Sequence, residues 1–234
     1  FRDFYSKFSK IPRKIKNTMS EIVVQKFGGT SVGTVDRIDS VAEIIKNASK
    51  SNKIVVVVSA MGGETNRLVD LAKAFGDDPD KREFDALVST GETVSSALLT
   101  MALHSKGVKA KSFSASQISM RTTSSYSKAK ILDVDAKKIL DVVENDTIPI
   151  ITGFQGVTEG GDVTTLGRGG SDTTAVAIAA QISAIRCDIY TDVDGIFTTD
   201  PSVVPNAKKL DSITMEEMLE LAGQGAKVVQ TRAV

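Results

Sequence analysis

The chain has 234 residues, 41% of them hydrophobic and 25% charged, with 29 Lys and Arg balanced by 29 Asp and Glu. That make-up fits a globular protein with its own core and not a disordered chain, and zero net charge argues against a nucleic-acid binder, which ordinarily carries a basic excess. One cysteine (Cys187) excludes an internal disulfide framework, one histidine (His104) excludes a multi-histidine zinc site, and the Ile and Val run at residues 54–58 is far short of the ~20 residues of a membrane span.

Charge is unevenly spread. Residues 1–18 hold six basic residues and one acid, Asp3, for a net of +5, which leaves −5 on residues 19–234. The leader shows no clean period and Met19 reads as a natural start. Residues 1–18 are therefore expected to be a tag or a mis-started frame, or else a native extension. Their Arg-, Lys- and Ser-rich, acid-poor make-up is compatible with an organelle transit peptide. The lone thiol fits a reducing cytosol, so a cytoplasmic protein is expected, with an organelle as the alternative if the leader is native.

After the leader, strands and helices alternate. Residues 22–27 read as a buried strand, followed by a Gly-rich turn and a helix over 35–49 with Ile38, Val41, Ala42, Ile44 and Ile45 on its apolar side. Residues 54–59 form a second, β-branched strand. Gly62-Gly63 turns into a helix carrying Leu68, Val69, Leu71 and Ala72, which Asp77-Asp78-Pro79-Asp80 ends. Residues 84–104 are helical with an interruption at Thr90-Gly91, and Gly107 follows as a C-cap would. Then come a strand over 108–113, a helix over 136–143, a strand over 148–152, Gly-rich turns from 153 to 170, an alanine-rich helix over 173–185, a strand over 186–191 and a helix over 215–221. This order predicts an α/β fold, a parallel or mixed sheet covered by helices on both faces.

In such sheets ligands bind beyond the carboxyl ends of the strands. Glycines cluster after strands at Gly28-Gly29, Gly62-Gly63, Gly167-Arg168-Gly169-Gly170 and Gly223-Gln224-Gly225. Gly28 and Gly33 have Walker spacing, but Thr34-Val35 stand where Lys and Ser/Thr are required; Gly167-Arg168-Gly169 begins a dinucleotide fingerprint, but Asp172 replaces its third glycine. Lys26 with Gly28, Gly29, Thr30 and Ser31 either binds an anion through free amides, hydroxyls and one positive charge, or is a tight turn with a solvated lysine. Arg168 either reaches a carboxylate bidentately, or its segment only caps the next helix through Ser171 or Asp172. Thr191-Asp192-Val193-Asp194-Gly195 reads as a turn or as a Mg²⁺–nucleotide site. Cys187 reads as a small buried hydrophobe, and His104 as a partner of its helix dipole.

Six segments in order resemble the aspartokinases of the amino-acid kinase family: Lys26-Phe27-Gly28-Gly29-Thr30-Ser31-Val32; Ser59-Ala60-Met61-Gly62-Gly63 with Thr65-Asn66; Ser89-Thr90-Gly91-Glu92; residues 165–174; Thr191-Asp192-Val193-Asp194-Gly195; and Gly225-Ala226-Lys227-Val228. The resemblance covers roughly residues 22–234. It implies a three-layer α/β/α sandwich with a mostly parallel central sheet, and transfer of the ATP γ-phosphoryl group to the side-chain carboxylate of L-aspartate, giving 4-phospho-L-aspartate. A sister kinase acting on glutamate, acetylglutamate, carbamate or UMP, or a ligand-binding fragment without turnover, are the competing readings. A carboxylate acceptor (solution pKa ≈ 3.9) needs no general base, so scarce histidine is no obstacle.

By resemblance, Lys26 and Asp172 are the catalytic pair. Arg168 holds the aspartate α-carboxylate, Glu92 its α-amino group, and Ser31, Ser59, Thr65 and Ser171 complete the acceptor side. Lys26, Phe27, Gly28, Gly29, Thr191, Asp192, Phe197, Lys227 and Val228 belong to the nucleotide side. Mg²⁺ is expected to arrive on the ATP phosphates with no dedicated protein ligand. Family members often carry Arg after the Asp-Pro pair, where this chain has Asp200-Pro201-Ser202. They also continue past the segment matching 225–234 into further kinase elements and two ACT domains, so residues 19–234 are expected to be an incomplete catalytic domain. The full-length protein is expected to be a homo-oligomer.

Overall fold

Strands β1 (Ile22–Phe27) and β2 (Lys53–Val58) set the architecture. β2 reads KIVVVV, a β-branched run with no polar alternation, which can leave neither face in water. Ile54, Val56 and Val58 enter one buried cluster while Val55 and Val57 enter a second on the opposite face. With β3 (Ala110–Phe113), β6 (Ile148–Thr152) and β9 (Arg186–Tyr190) they form a sheet of order β3-β6-β2-β1-β9, parallel at every pairing. The computed structural model describes residues 22–192, 195–199, 204 and 206–223. The basic leader, Met19 and the segment 225–234 lie outside the described residues.

Helices cover both faces. Ile38, Val41, Ala42 and Ile45 of α1 (Val35–Ala48) pack on the first face with Leu99 and Leu103 of α4 (Thr90–Ser105). Ile139 and Val143 of α5 (Ala136–Glu144) pack on the second with Ala175 and Ile178 of α6 (Gly170–Gln181). The result is the expected three-layer sandwich. A fully buried Ile or Leu side chain is worth roughly 1.5–3 kcal/mol, enough for packing to dominate helix placement. That is why α6 needs no side-chain cap: its N-cap is Gly169, and neither Ser171 nor Asp172 caps it. Both predicted capping residues lie inside the first turn, because the helix starts at Gly170, three residues upstream of the start at 173 read from the alanine-rich pattern.

The remaining elements refine the sequence reading. α2 (Glu64–Lys73) follows Gly63, and α3 (Lys81–Val88) starts at Asp80, whose carboxylate accepts the Arg82 and Glu83 amides. α3 and α4 meet at Ser89, one residue before the expected interruption. The stretch Lys81–Ser105 has the length and mean hydropathy (1.2) of a membrane span, but half of its apolar window is buried within the fold, as in the core helix of a globular protein. His104, in the last turn of α4, donates from Nε2 to the Ala110 carbonyl at 2.8 Å, tying the helix end to β3 as well as meeting its dipole.

The stretch read as Gly-rich turns holds a hairpin, β7 (Gln155–Val157) with β8 (Val163–Thr165). It joins β4 (Arg121–Thr122) and β5 (Ile131–Asp133) in a second, mixed sheet of order β5-β4-β7-β8 that sequence reading missed. Strands of two or three residues, one containing Gly156, show no period to detect. α7 (Met215–Gly223) follows.

Candidate active site

Along β1, residues alternate between faces. Val23 and Phe27 join the cluster under α1 and α4, whereas Ile22 and Val24 join the one under α6. Parity puts Lys26 on the α6 side, where Asp172 waits in the first turn of that helix. Lys26 Nζ lies 2.6 Å from Asp172 Oδ1, and the two residues are only 7% and 9% exposed. The solvated-lysine reading is thereby overturned. Asp172 Oδ1 has no hydrogen-bond partner besides this ammonium among the described residues. A buried ion pair is weak evidence for stability, because desolvation offsets attraction. It is better read as a held charge.

The pair opens into a cleft of about 440 Å³. The cleft sits beyond the C-terminal ends of β1, β2, β6 and β9, where an open α/β sheet presents its loops. Lys26, Gly28, Gly29 and Thr30 line it after β1, and Ser59, Met61 and Thr65 after β2. Glu92 enters from α4, Phe154 from the turn after β6, Arg168, Ser171 and Asp172 from the start of α6, and Thr191 and Asp192 from the end of β9.

Not every first-loop amide is free. The β1–β9 ladder runs one residue past the strand, so the Gly28 amide donates to the Tyr190 carbonyl at 3.0 Å, and the Ser31 amide is spent on the Gly28 carbonyl. Among the described residues the Gly29 and Thr30 amides remain unpaired. A Cβ on Gly29 would come within 2.8 Å of the Ala60 carbonyl, so only glycine lets the two loops meet. Those amides, Lys26 and the start of α6 form a corner whose donors and positive charge suit an anion.

Opposite stands Glu92, 3% exposed, in the first turn of α4. Its Oε1 accepts the Ala60 amide at 3.0 Å, while Oε2 is buried with no hydrogen-bond partner among the described residues. Burial, opposed by the Ala60 hydrogen bond, pushes this carboxyl up to about 8. Arg168 is exposed into the cleft, and among the described residues its guanidinium has neither ion pair nor hydrogen bond.

Other expected residues lie elsewhere. The Phe27 side chain is fully buried and stacked on Tyr190 with ring centres 4.5 Å apart, so it does not line the cleft. Ser31 is half-buried beside the cleft lining. Phe197 pairs with Lys209 in an isolated bridge, away from it. Lys227 and Val228 lie outside the described residues, as do Val193, Asp194 and Asp200-Pro201-Ser202. Phe154, at φ 67, was not foreseen; nothing in its sequence context marks a left-handed aromatic residue at the cleft. Cys187 is half-buried, and burial, with Asp188 and Asp172 adding, pushes its thiol up to about 11, so it stays protonated and packs. Among the described residues no cluster of three His, Cys, Asp or Glu forms a metal-binding set.

Residues 21–234 match the amino acid kinase family along nearly the whole chain. The chain belongs to the amino acid kinase family. It is 56% identical over 214 residues to an aspartate kinase of Pseudomonas putida, covering 91% of this chain and 52% of that protein. A crystal structure of aspartate kinase from Synechocystis is 47% identical, with a TM-score of 0.81 over 91% of this chain and 35% of its own. Aspartokinase III of E. coli, solved in complex with aspartate and ADP, is 33% identical with a TM-score of 0.84, covering 91% of this chain and 58% of that one. The chain spans about half the length of the curated relatives it matches.

Proposed function

We propose that this chain transfers the γ-phosphoryl group of ATP to the side-chain carboxylate of L-aspartate, giving 4-phospho-L-aspartate, the entry to lysine, threonine and methionine synthesis. The observation that carries this reading is a pair of unspent groups in one cleft, without partners among the described residues: the buried Glu92 Oε2, which becomes a charge when its proton is displaced, and the Arg168 guanidinium. A free α-amino acid offers the matching ammonium and carboxylate, and its side chain is then directed toward the Lys26 corner. The E. coli neighbour was solved with both an amino acid, aspartate, and a nucleotide, ADP, the two kinds of ligand this reading requires.

The nucleophile is already ionised at neutral pH. What opposes reaction is repulsion between an anionic acceptor and a polyanionic phosphate, so catalysis is positioning and charge neutralisation. Lys26 supplies the charge, and Asp172 fixes its ammonium by the 2.6 Å contact. The Gly29 and Thr30 amides add dipoles that need no reorganisation. Thr191 and Asp192, exposed at the end of β9, take the nucleotide side with Gly28; Phe27, Phe197, Lys227 and Val228 are assigned there by family resemblance. Ser59, Thr65 and Ser171 flank the acceptor, with Ser31 beside them. Mg²⁺ typically binds through one or two carboxylates plus substrate phosphates. Asp192, exposed at the end of β9, is the carboxylate that would meet the ion there, and the ion would supply charge neutralisation on the phosphates.

The deciding experiment is ADP release across a panel of acceptors. Turnover is expected with L-aspartate, and turnover with glutamate, acetylglutamate, carbamate or UMP in its place would overturn the assignment.

Glu92 adds a pH signature. In the empty cleft its carboxyl holds a proton up to about pH 8, and an incoming ammonium must displace it. Apparent aspartate affinity should therefore rise about tenfold per unit from pH 6 toward 8 and then level off, with nearly one proton released per aspartate bound at pH 7. Calorimetry in two buffers of different ionisation enthalpy reads that proton; a flat affinity over this range would remove Glu92 from the site. The same raised value means Glu92 lowers fold stability progressively as pH climbs from about 4.5 to about 8, since the unfolded chain gives up its proton first.

A further inference from the structure

Asp85, in α3, is 0% exposed and lies outside the cleft, yet it is the most heavily bonded carboxylate among the described residues. Its Oδ2 accepts the Ser127 amide at 2.8 Å and the Thr165 amide at 2.7 Å. Its Oδ1 accepts the Ser127 hydroxyl at 3.1 Å and the Thr165 hydroxyl at 2.9 Å. Four donors converge on two oxygens, a pattern no amide side chain of the same size can accept.

What those donors hold is unusual. Ser127 has φ 64, in the left-handed region. A non-glycine residue there costs on the order of 1–3 kcal/mol and persists only where its surroundings enforce it. Both polar groups of Ser127 that can donate point at Asp85. In this conformation the Ser127 carbonyl lies 3.0 Å from where a Cβ on Gly167 would stand, and Gly167 is itself left-handed at φ +79. The second anchor, Thr165, is two residues before Gly167, and its carbonyl accepts the Ala129 amide at 2.9 Å. One buried carboxylate thus ties down both the strand leading into the Gly167 turn and the loop packed against it.

The next residue is Arg168, whose guanidinium has no partner among the described residues. Nothing in its own side chain fixes it, so its place in the cleft is inherited from the turn. We infer that Asp85 is a positioning residue for Arg168, holding the acceptor-side arginine from behind through Ser127 and Thr165. The substrate part of this inference rests on the reading of Arg168 as the ligand of the aspartate α-carboxylate; the geometric part does not.

The test is Asp85→Asn, which keeps size while turning one acceptor into a donor facing N–H groups. Mispositioning of this kind can cost up to about 10²-fold, so KM for aspartate is expected to rise at least about tenfold while KM for ATP moves less than about twofold. Independently of substrate, trypsin should cut after Arg168 at least about fivefold faster, with cleavage after exposed Lys50 unchanged, because the opening is local. Equal acceleration at both sites, or no change at Arg168, overturns the inference, as does a parallel rise of both KM values. Faster cleavage at Arg168 alone, in a protein that does not turn over aspartate, upholds the positioning role and defeats the acceptor assignment. If Asp85→Asn does not fold, Ser127→Ala removes one of the four bonds, and selective cleavage at Arg168 about two- to threefold above the parent is the expected result, with none overturning the role.

Discussion

Lys26→Ala is expected to lower kcat about 10²- to 10³-fold with KM for aspartate nearly unchanged, the loss typical of removing one preorganised charge that acts on the transferred group. The variant also strips from Asp172 Oδ1, which is buried, its only partner among the described residues. Breaking a buried pair from one side can cost about 3–5 kcal/mol, so a loss of activity alone would not separate chemistry from stability. The double variant Lys26→Ala with Asp172→Asn does separate them. Neutralising the orphaned carboxylate should return most of the melting temperature, while kcat stays low because the Lys26 ammonium is missing from the transferred group. Recovery of kcat along with stability would mean that Lys26 is structural.

The parts of this site legible in the sequence are those that follow from period and parity. The unbroken β-branched run of β2 announces a strand buried on both faces, and β1 beside it places Lys26 on the same side as Ile22 and Val24. The Gly167-Arg168-Gly169-Gly170 cluster announced a loop at the strand ends, and it is there. Contacts between distant segments were not legible. That the Gly28 amide is consumed by Tyr190 depends on how far the β1–β9 ladder runs, which no local pattern encodes. The β7–β8 hairpin rests on pairing and not on propensity, with Gly156 fitting beneath Thr122 where a Cβ would clash. Ser171 and Asp172 looked like caps because Ser and Asp ordinarily cap helices. Here α6 begins earlier, since its first turn is held by packing and by Lys26, and that shift converts a capping aspartate into a charge partner. The error and the site have one cause: the tertiary role of Asp172 outranks its local preference.

Arg168→Ala tests the opposite end of the cleft and should behave oppositely to Lys26→Ala. Arg168 is exposed and unpaired among the described residues, so its loss is expected to change stability by less than about 0.5 kcal/mol. Its loss should instead lower kcat/KM for aspartate about 10- to 150-fold, the equivalent of about 1.5–3 kcal/mol for hydrogen bonds between charged groups. Arg168→Lys should restore only part of this, because a point charge lacks the planar fork that meets both carboxylate oxygens. The decisive comparison uses β-alanine, which is aspartate without its α-carboxylate. If Arg168 binds that carboxylate, parent and Arg168→Ala enzymes should treat β-alanine alike, and the loss from deleting the ligand group should equal the loss from deleting the residue. A variant that weakens β-alanine as much as aspartate would place Arg168 on the phosphate instead, and the division of the cleft into an amino-acid end and a phosphate end would have to be redrawn.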